Sequence, residues 1–221
     1  MKWTIPNTLT TLRLIAAPGV AVMFLYFNRP WADWAALILF MGAAATDWFD
    51  GYLARLWKQE SKFGAMLDPI ADKAMVVIAL LVLTGYSGMN PWLILPATVI
   101  LFREVFVSGL REFLGDTSKL LKVTKLAKWK TTAQMVAIAV LFLGTGLDYL
   151  NGVKMQGMTP EEYTAAVEAG LADPVRACGQ RDCASLAGDV GLVLIWIAAV
   201  LTLITGWEYF RKALPHLRDP E

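Results

Sequence analysis

Six apolar runs, at 9–27, 31–46, 66–86, 92–114, 131–147 and 190–209, dominate this chain of 221 residues. A bilayer-spanning helix needs about 20 mostly apolar residues. Backbone polar groups in lipid must pair within their own segment, which restricts spanning structures to helices and closed barrels. The six runs qualify, and they predict an all-α polytopic membrane protein with six transmembrane helices. The second run reaches spanning length only if its helix continues through 47–55, which contains no proline, and it is expected to do so. With 57% hydrophobic residues, the chain has too little polar surface for a soluble domain of this size. A single membrane domain over 1–221 is expected, with no internal repeat.

Orientation follows from the basic residues, which concentrate on cytoplasmic loops. Lys2, Arg55, Lys58, Lys62, Lys119, Lys122, Lys125, Lys128, Lys130, Arg211, Lys212 and Arg218 fall on one side; the short turns of the other side carry only Arg29. Both termini are therefore expected in the cytoplasm, and no cleavable signal peptide is evident. The polar stretch at 148–189 falls on the outer side as an insertion. Within it, Thr159, Pro160 and Glu162 have the order of a capping box with proline in the first turn. Cys178 and Cys183 lie five positions apart in the same stretch, where a disulfide and two free thiols are both open readings. The formal net charge of +1 gives no reason to expect nucleic acid as a partner. The single histidine, His216, lies beyond the last apolar run, which argues against Ser–His catalysis and a histidine zinc site.

The residues that carry chemistry are concentrated between 47 and 72. Asp47, Asp50, Gly51 and Ala54 recur at helical three- and four-residue steps, and Gly64, Asp68 and Asp72 make a second stripe at steps of four. Consecutive antiparallel helices would bring both stripes to one depth. Four carboxylates so placed repel one another unless cations neutralise them. Clustered carboxylate oxygens are hard ligands, suited to Mg²⁺ or Mn²⁺. The small residues Gly51, Ala54 and Gly64 leave room beside them for a flat base and a diphosphate. Any one of these acids could simply solvate a helix end, and the glycines could simply ease helix packing. The full spacing argues for more.

Asp47-x2-Asp50-Gly51-x2-Ala54-Arg55-x8-Gly64-x3-Asp68-x3-Asp72 resembles the signature of the CDP-alcohol phosphotransferase family at all eight fixed positions. The resemblance implies a six-helix membrane enzyme, a homodimer, in which an alcohol attacks the phosphorus of a CDP-linked substrate and expels CMP. It implies Asp47, Asp50 and Asp68 as ligands of two divalent ions, Asp72 as ligand and catalytic base, and Arg55 as a neutraliser of phosphate charge.

Other segments bear on the acceptor. Asn7 and Thr10, followed by Arg13 and Pro18, resemble the opening of the bacterial members of that family that use glycerol 3-phosphate; the resemblance sets Asn7 and Thr10 under the nucleotide end of the site. Arg103, Val107 and Arg111 form one helical stripe in the fourth run. An arginine inside an apolar helix needs a partner. An ion pair with Glu104 or a core aspartate would supply one; a guanidinium fork for an anionic acceptor is the other reading. The segments 103–112 and 128–135 also resemble that branch. Lys125, Lys128 and Lys130 read singly as cytoplasmic anchors, and with the two arginines as a site for an acceptor phosphate. With the cations fitting a phosphate-bearing acceptor, the resemblance implies phosphatidyl transfer from CDP-diacylglycerol to glycerol 3-phosphate in a bacterial inner membrane. The alternatives are another acceptor (inositol phosphate, serine or phosphatidylglycerol) or, from a different class, a cation transporter.

Overall fold

The structure is a computed structural model that describes residues 5–28, 31–57, 62–115, 125–156, 161, 165 and 183–216; side chains at 5–6, 47–57, 62, 65, 125–128, 148–156 and 183–185 lie outside that description. Six long helices make up the described chain: α1 (Ile5–Tyr26), α2 (Trp31–Trp57), α3 (Lys62–Tyr86), α4 (Pro91–Leu114), α5 (Lys125–Gln156) and α6 (Cys183–Ala213). A 3₁₀ turn at Leu214–His216 follows. No strand occurs among the described residues. The all-α expectation holds, and α2 does run on through 47–55. The capping pattern at Thr159–Glu162 and the Cys178 thiol fall outside the described residues.

Four helices contain stretches long and apolar enough to cross a membrane: Asn7–Tyr26, Pro91–Leu114, Trp129–Leu147 and Leu186–His216. The apolar stretch Trp31–Thr46 of α2 is shorter, and α3, with Asp68, Asp72 and Lys73 in its first half, is not among the four. Large apolar side chains are exposed along every one of the first four helices and the last. Ile15 and Leu25 of α1, Ile38 of α2, Leu81 of α3, Phe102 and Val105 of α4 and Val193 of α6 are all exposed. Such a surface is stable in lipid and not in water. The chain is a membrane protein.

The helices alternate in direction. Phe24 and Tyr86, near the finishing ends of α1 and α3, stack edge-on with ring centroids 4.8 Å apart. Gly146, late in α5, abuts Asp33, early in α2. One end of the bundle, called here the first end, is where α1, α3 and α5 begin and α2, α4 and α6 finish. The most extensive packing joins α5 to α6, then α1 to α3 and α2, and α4 to α6. Phe24, Phe40, Met75, Leu80, Ile100, Ile138, Phe142 and Ile195 fill the centre. Glycines set the α5–α6 distance: a Cβ at Gly144 would lie 3.1 Å from the Gly188 nitrogen, and one at Gly191 would lie 2.8 Å from Leu141. Small residues at such seams let helix backbones approach, which drives association where lipid removes the hydrophobic gain.

The turn from α3 to α4 is tight, with positive φ at both Gly88 and Met89. Asn90 then caps α4 by accepting from the Trp92 amide at 3.0 Å, and Pro91 takes the first helical position, where no amide hydrogen is needed. Beyond that cap, the Trp196 indole donates to the Trp92 carbonyl at 2.9 Å, which fixes α6 against α4.

Candidate active site

Asp68 and Asp72 occupy the first half of α3, six and ten residues from its start, one helical turn apart on one face. Pro69 between them lacks an amide hydrogen and so removes one intrahelical bond from this turn. Both acids are met by α1. Thr10, 1% exposed, donates from Oγ1 to Asp68 Oδ1 at 2.7 Å. Arg13 donates from Nη1 to Asp72 Oδ1 at 2.7 Å. The Arg13 side chain is 2% exposed while that of Asp72 is 51% exposed, so the guanidinium sits behind the carboxylate and the carboxylate faces outward. A cavity of about 280 Å³ opens beside the pair, lined by Arg13 and Asp72 with Ala43 and Ala44 of α2, Met75 and Val76 of α3, and Thr131 and Thr132 of α5. Asn7, one turn before Thr10, is buried. Gly64 is buried at the beginning of α3.

Asp47, Asp50, Gly51, Ala54 and Arg55 lie in the last third of α2, at the same end of the bundle, but their side chains fall outside the described residues. Among the described residues no three His, Cys, Asp or Glu side chains come together. Asp68 and Asp72 nevertheless suit a hard cation. A carboxylate has about four lone-pair directions, so a single donor at Asp68 Oδ1 leaves most of its ligating capacity. Asp72 lies one turn away on the same face.

A second polar cluster is assembled by α3, α4 and α5. Glu104 of α4 receives Arg103 Nη1 at 3.2 Å and also Lys130 Nζ of α5, both on its Oε1. Lys73, the residue after Asp72, donates to Ser108 Oγ, and Ser108 donates to the Glu104 carbonyl. Arg103 packs its stem against α6: a Cβ at Gly206 would fall 2.9 Å from Arg103 Cγ. The Arg103 Nε is buried without a hydrogen-bond partner among the described residues. Arg111, two turns further along α4 and near enough for its charge to be felt at Arg103, stacks over the Tyr209 ring with its guanidinium carbon 5.3 Å from the centroid. Val107, between the two arginines, is buried. The side chains of Lys125 and Lys128 lie outside the described residues.

The structure thus brings Thr10 to Asp68 and Lys130 to Arg103, with Arg111 within electrostatic reach of Arg103 but, among the described residues, bonded to neither Lys130 nor Glu104. Of the two readings of Arg103, the ion pair with Glu104 is present, and it includes Lys130 as well. Sequence reasoning gave no role to Lys73, Ser108, Gly206 or Tyr209. It noted Arg13 only as part of a motif, although a lone arginine in an apolar run is itself a signal of an intramembrane acid partner.

The family model described as CDP-alcohol phosphatidyltransferase matches residues 3–204. A protein of Cereibacter sphaeroides named CDP-diacylglycerol–glycerol-3-phosphate 3-phosphatidyltransferase is 77% identical over 219 residues, covering 99% of each chain. Proteins of the same name from Shigella flexneri and Escherichia coli are 39% identical over 184 residues and 44% identical over 143 residues; these matches cover 78% and 64% of this chain and 100% and 78% of theirs. With nearly the whole chain matched, from the first helix into the last, the protein belongs to the CDP-alcohol phosphatidyltransferase family.

Proposed function

We propose that this chain transfers a phosphatidyl group from CDP-diacylglycerol to glycerol 3-phosphate, giving phosphatidylglycerol phosphate and CMP. The observation that carries the reading is the end-to-end similarity to the Cereibacter sphaeroides protein, whose name specifies both substrates. The site geometry supports it. Asp72 is the proton acceptor: it is half-exposed beside a cavity large enough for a small polyol, and Arg13 holds one of its oxygens from behind. A glycerol hydroxyl placed there loses its proton to Asp72 as its oxygen bonds to the lipid-side phosphorus, and the bond from that phosphorus to the CMP oxygen breaks.

Asp47, Asp50, Asp68 and Asp72 are the residues that would hold two divalent ions, Mg²⁺ or Mn²⁺. When bound, such ions supply charge stabilisation to the attacking and leaving oxygens of an in-line displacement. Thr10 keeps the Asp68 carboxylate in one orientation for that task. Gly51, Ala54 and Gly64, with Asn7 and Thr10 beneath them, leave space for the cytidine and its diphosphate, and Arg55 offsets phosphate charge. Arg103, Arg111, Lys125, Lys128 and Lys130 serve the phosphate of the acceptor. The enzyme works as a homodimer in a bacterial inner membrane with this end in the cytoplasm, so that the lipid substrate enters sideways from the inner leaflet. The 148–189 stretch lies outside.

Purified protein supplied with CDP-diacylglycerol and Mg²⁺ is expected to release CMP with glycerol 3-phosphate, and not with serine, inositol phosphate or phosphatidylglycerol. CMP release with one of those and none with glycerol 3-phosphate would reassign the acceptor.

A further inference from the structure

We infer that Glu104 is a positioning residue for the acceptor's phosphate: its one oxygen Oε1 sets the spacing between a cation on α4 and a cation on α5. This rests on the reading that Arg103 and Lys130 face an anionic acceptor. An ordinary structural ion pair is one to one. Among the described residues, Lys73, Arg103 and Lys130 are gathered around the carboxylate of Glu104, an excess of two positive charges, three less one. Lys130 and Arg103 are largely buried, with side chains 5% and 14% exposed. Excess buried cations are unfavourable unless an anion completes the set, and a phosphate dianion carries the charge required.

The donors fit that role. An ammonium has three N–H groups and a guanidinium five. Glu104 takes one from Lys130 and one from Arg103, and the rest of each fork can serve phosphate oxygens. Glu104 also controls geometry, because its carboxylate is what joins the Lys130 ammonium to the Arg103 guanidinium. The backbone beneath is fixed in turn, with Ser108 bonded to the Glu104 carbonyl and tied to Lys73 beside the proton acceptor. On the far side α6 supplies the support. Gly206 admits the Arg103 stem, and any larger residue there would displace it.

Two substitutions test this from opposite sides. Glu104→Gln keeps the shape and removes the charge that gathers the cations; Gly206→Ala keeps every charge and pushes Arg103 out of place. Both variants are measured in detergent for KM of glycerol 3-phosphate, KM of CDP-diacylglycerol and kcat. Glu104→Gln is expected to raise KM for glycerol 3-phosphate about tenfold, as loss of a charge-assisted contact implies, with KM for CDP-diacylglycerol unchanged. Gly206→Ala should show the same selective rise, smaller in size. An unchanged or lowered KM for glycerol 3-phosphate in both variants overturns the inference, as does a parallel rise in both KM values, which would signal general loosening. If Glu104→Gln does not accumulate as folded protein, Gly206→Ala decides alone. Wild-type protein inactive with glycerol 3-phosphate would instead remove the functional reading on which the inference stands.

Discussion

A guanidinium within an apolar helix is among the most expensive groups a membrane protein can carry, on the order of 2.5–3.5 kcal/mol even on insertion scales. Arg13 is nearly inaccessible in α1 and meets that cost by pairing with Asp72. The pair shows how an aspartate proposed as the base can be anchored and still open: one oxygen is held from the buried side and the carboxylate still faces the cavity. Asp72→Asn is a clean probe, because an amide retains an oxygen that accepts from Arg13 but cannot take a proton from an alcohol. CMP release should fall by at least about 100-fold, the usual minimum contribution of a general base, while binding of CDP-diacylglycerol measured by titration is retained. Turnover near the wild-type rate would remove Asp72 from the role of base. At this scale the sequence was readable where a residue type has few uses, as with Asp68 and Asp72, whose four-residue spacing does put them one turn apart on α3. It was not readable where the partner is remote. Nothing in the chain says that Glu104 reaches Lys130, 26 positions on, in preference to the other cations of the same region.

Helices were legible from the apolar runs, but the runs mark the membrane and not the helix. The fifth run begins at 131, whereas α5 begins at Lys125 and continues to Gln156. Backbone hydrogen bonding carries a helix on into water as long as no proline or competing cap stops it. The extension has a use, since it places Lys130 on a rigid turn facing Glu104. Helix packing was less legible, because small residues allow close approach without saying which neighbour approaches. Gly191 is tightly enclosed by Leu141, whereas a Cβ at Gly42 would meet nothing within 4 Å. Gly191→Ala is therefore expected to destabilise by about 1–3 kcal/mol through overpacking, seen as a lower thermal midpoint in detergent. Gly42→Ala should leave the midpoint unchanged or raise it slightly, as alanine is the better helix former. Equal effects of the two substitutions would count against the α5–α6 seam described above.

The whole molecule divides its proposed chemistry between its two halves. The paired acids stand on α3 against α1, with Asp47 and Asp50 carried by α2, and most of the second polar cluster stands on α4, α5 and α6. A reaction that needs both requires the halves to stay in register, which the contacts of α5 with α2 and of α3 with α4 and α5 provide. Chelation with EDTA is expected to abolish CMP release, and added Mg²⁺ or Mn²⁺ to restore it, since clustered carboxylates are hard ligands for such ions. Activity that persists after exhaustive chelation would contradict the proposed role of the four aspartates. The division also has a consequence in time. A chain is made from its N-terminus, and early segments can associate while later ones are still being synthesised. Arg13 and Asp72 both belong to the part that ends at Tyr86, as do Thr10 and Asp68. The most costly charge of the first three helices can thus find its counter-charge before the ribosome has finished the second half, and the nascent chain need not hold a lone guanidinium in lipid while it waits.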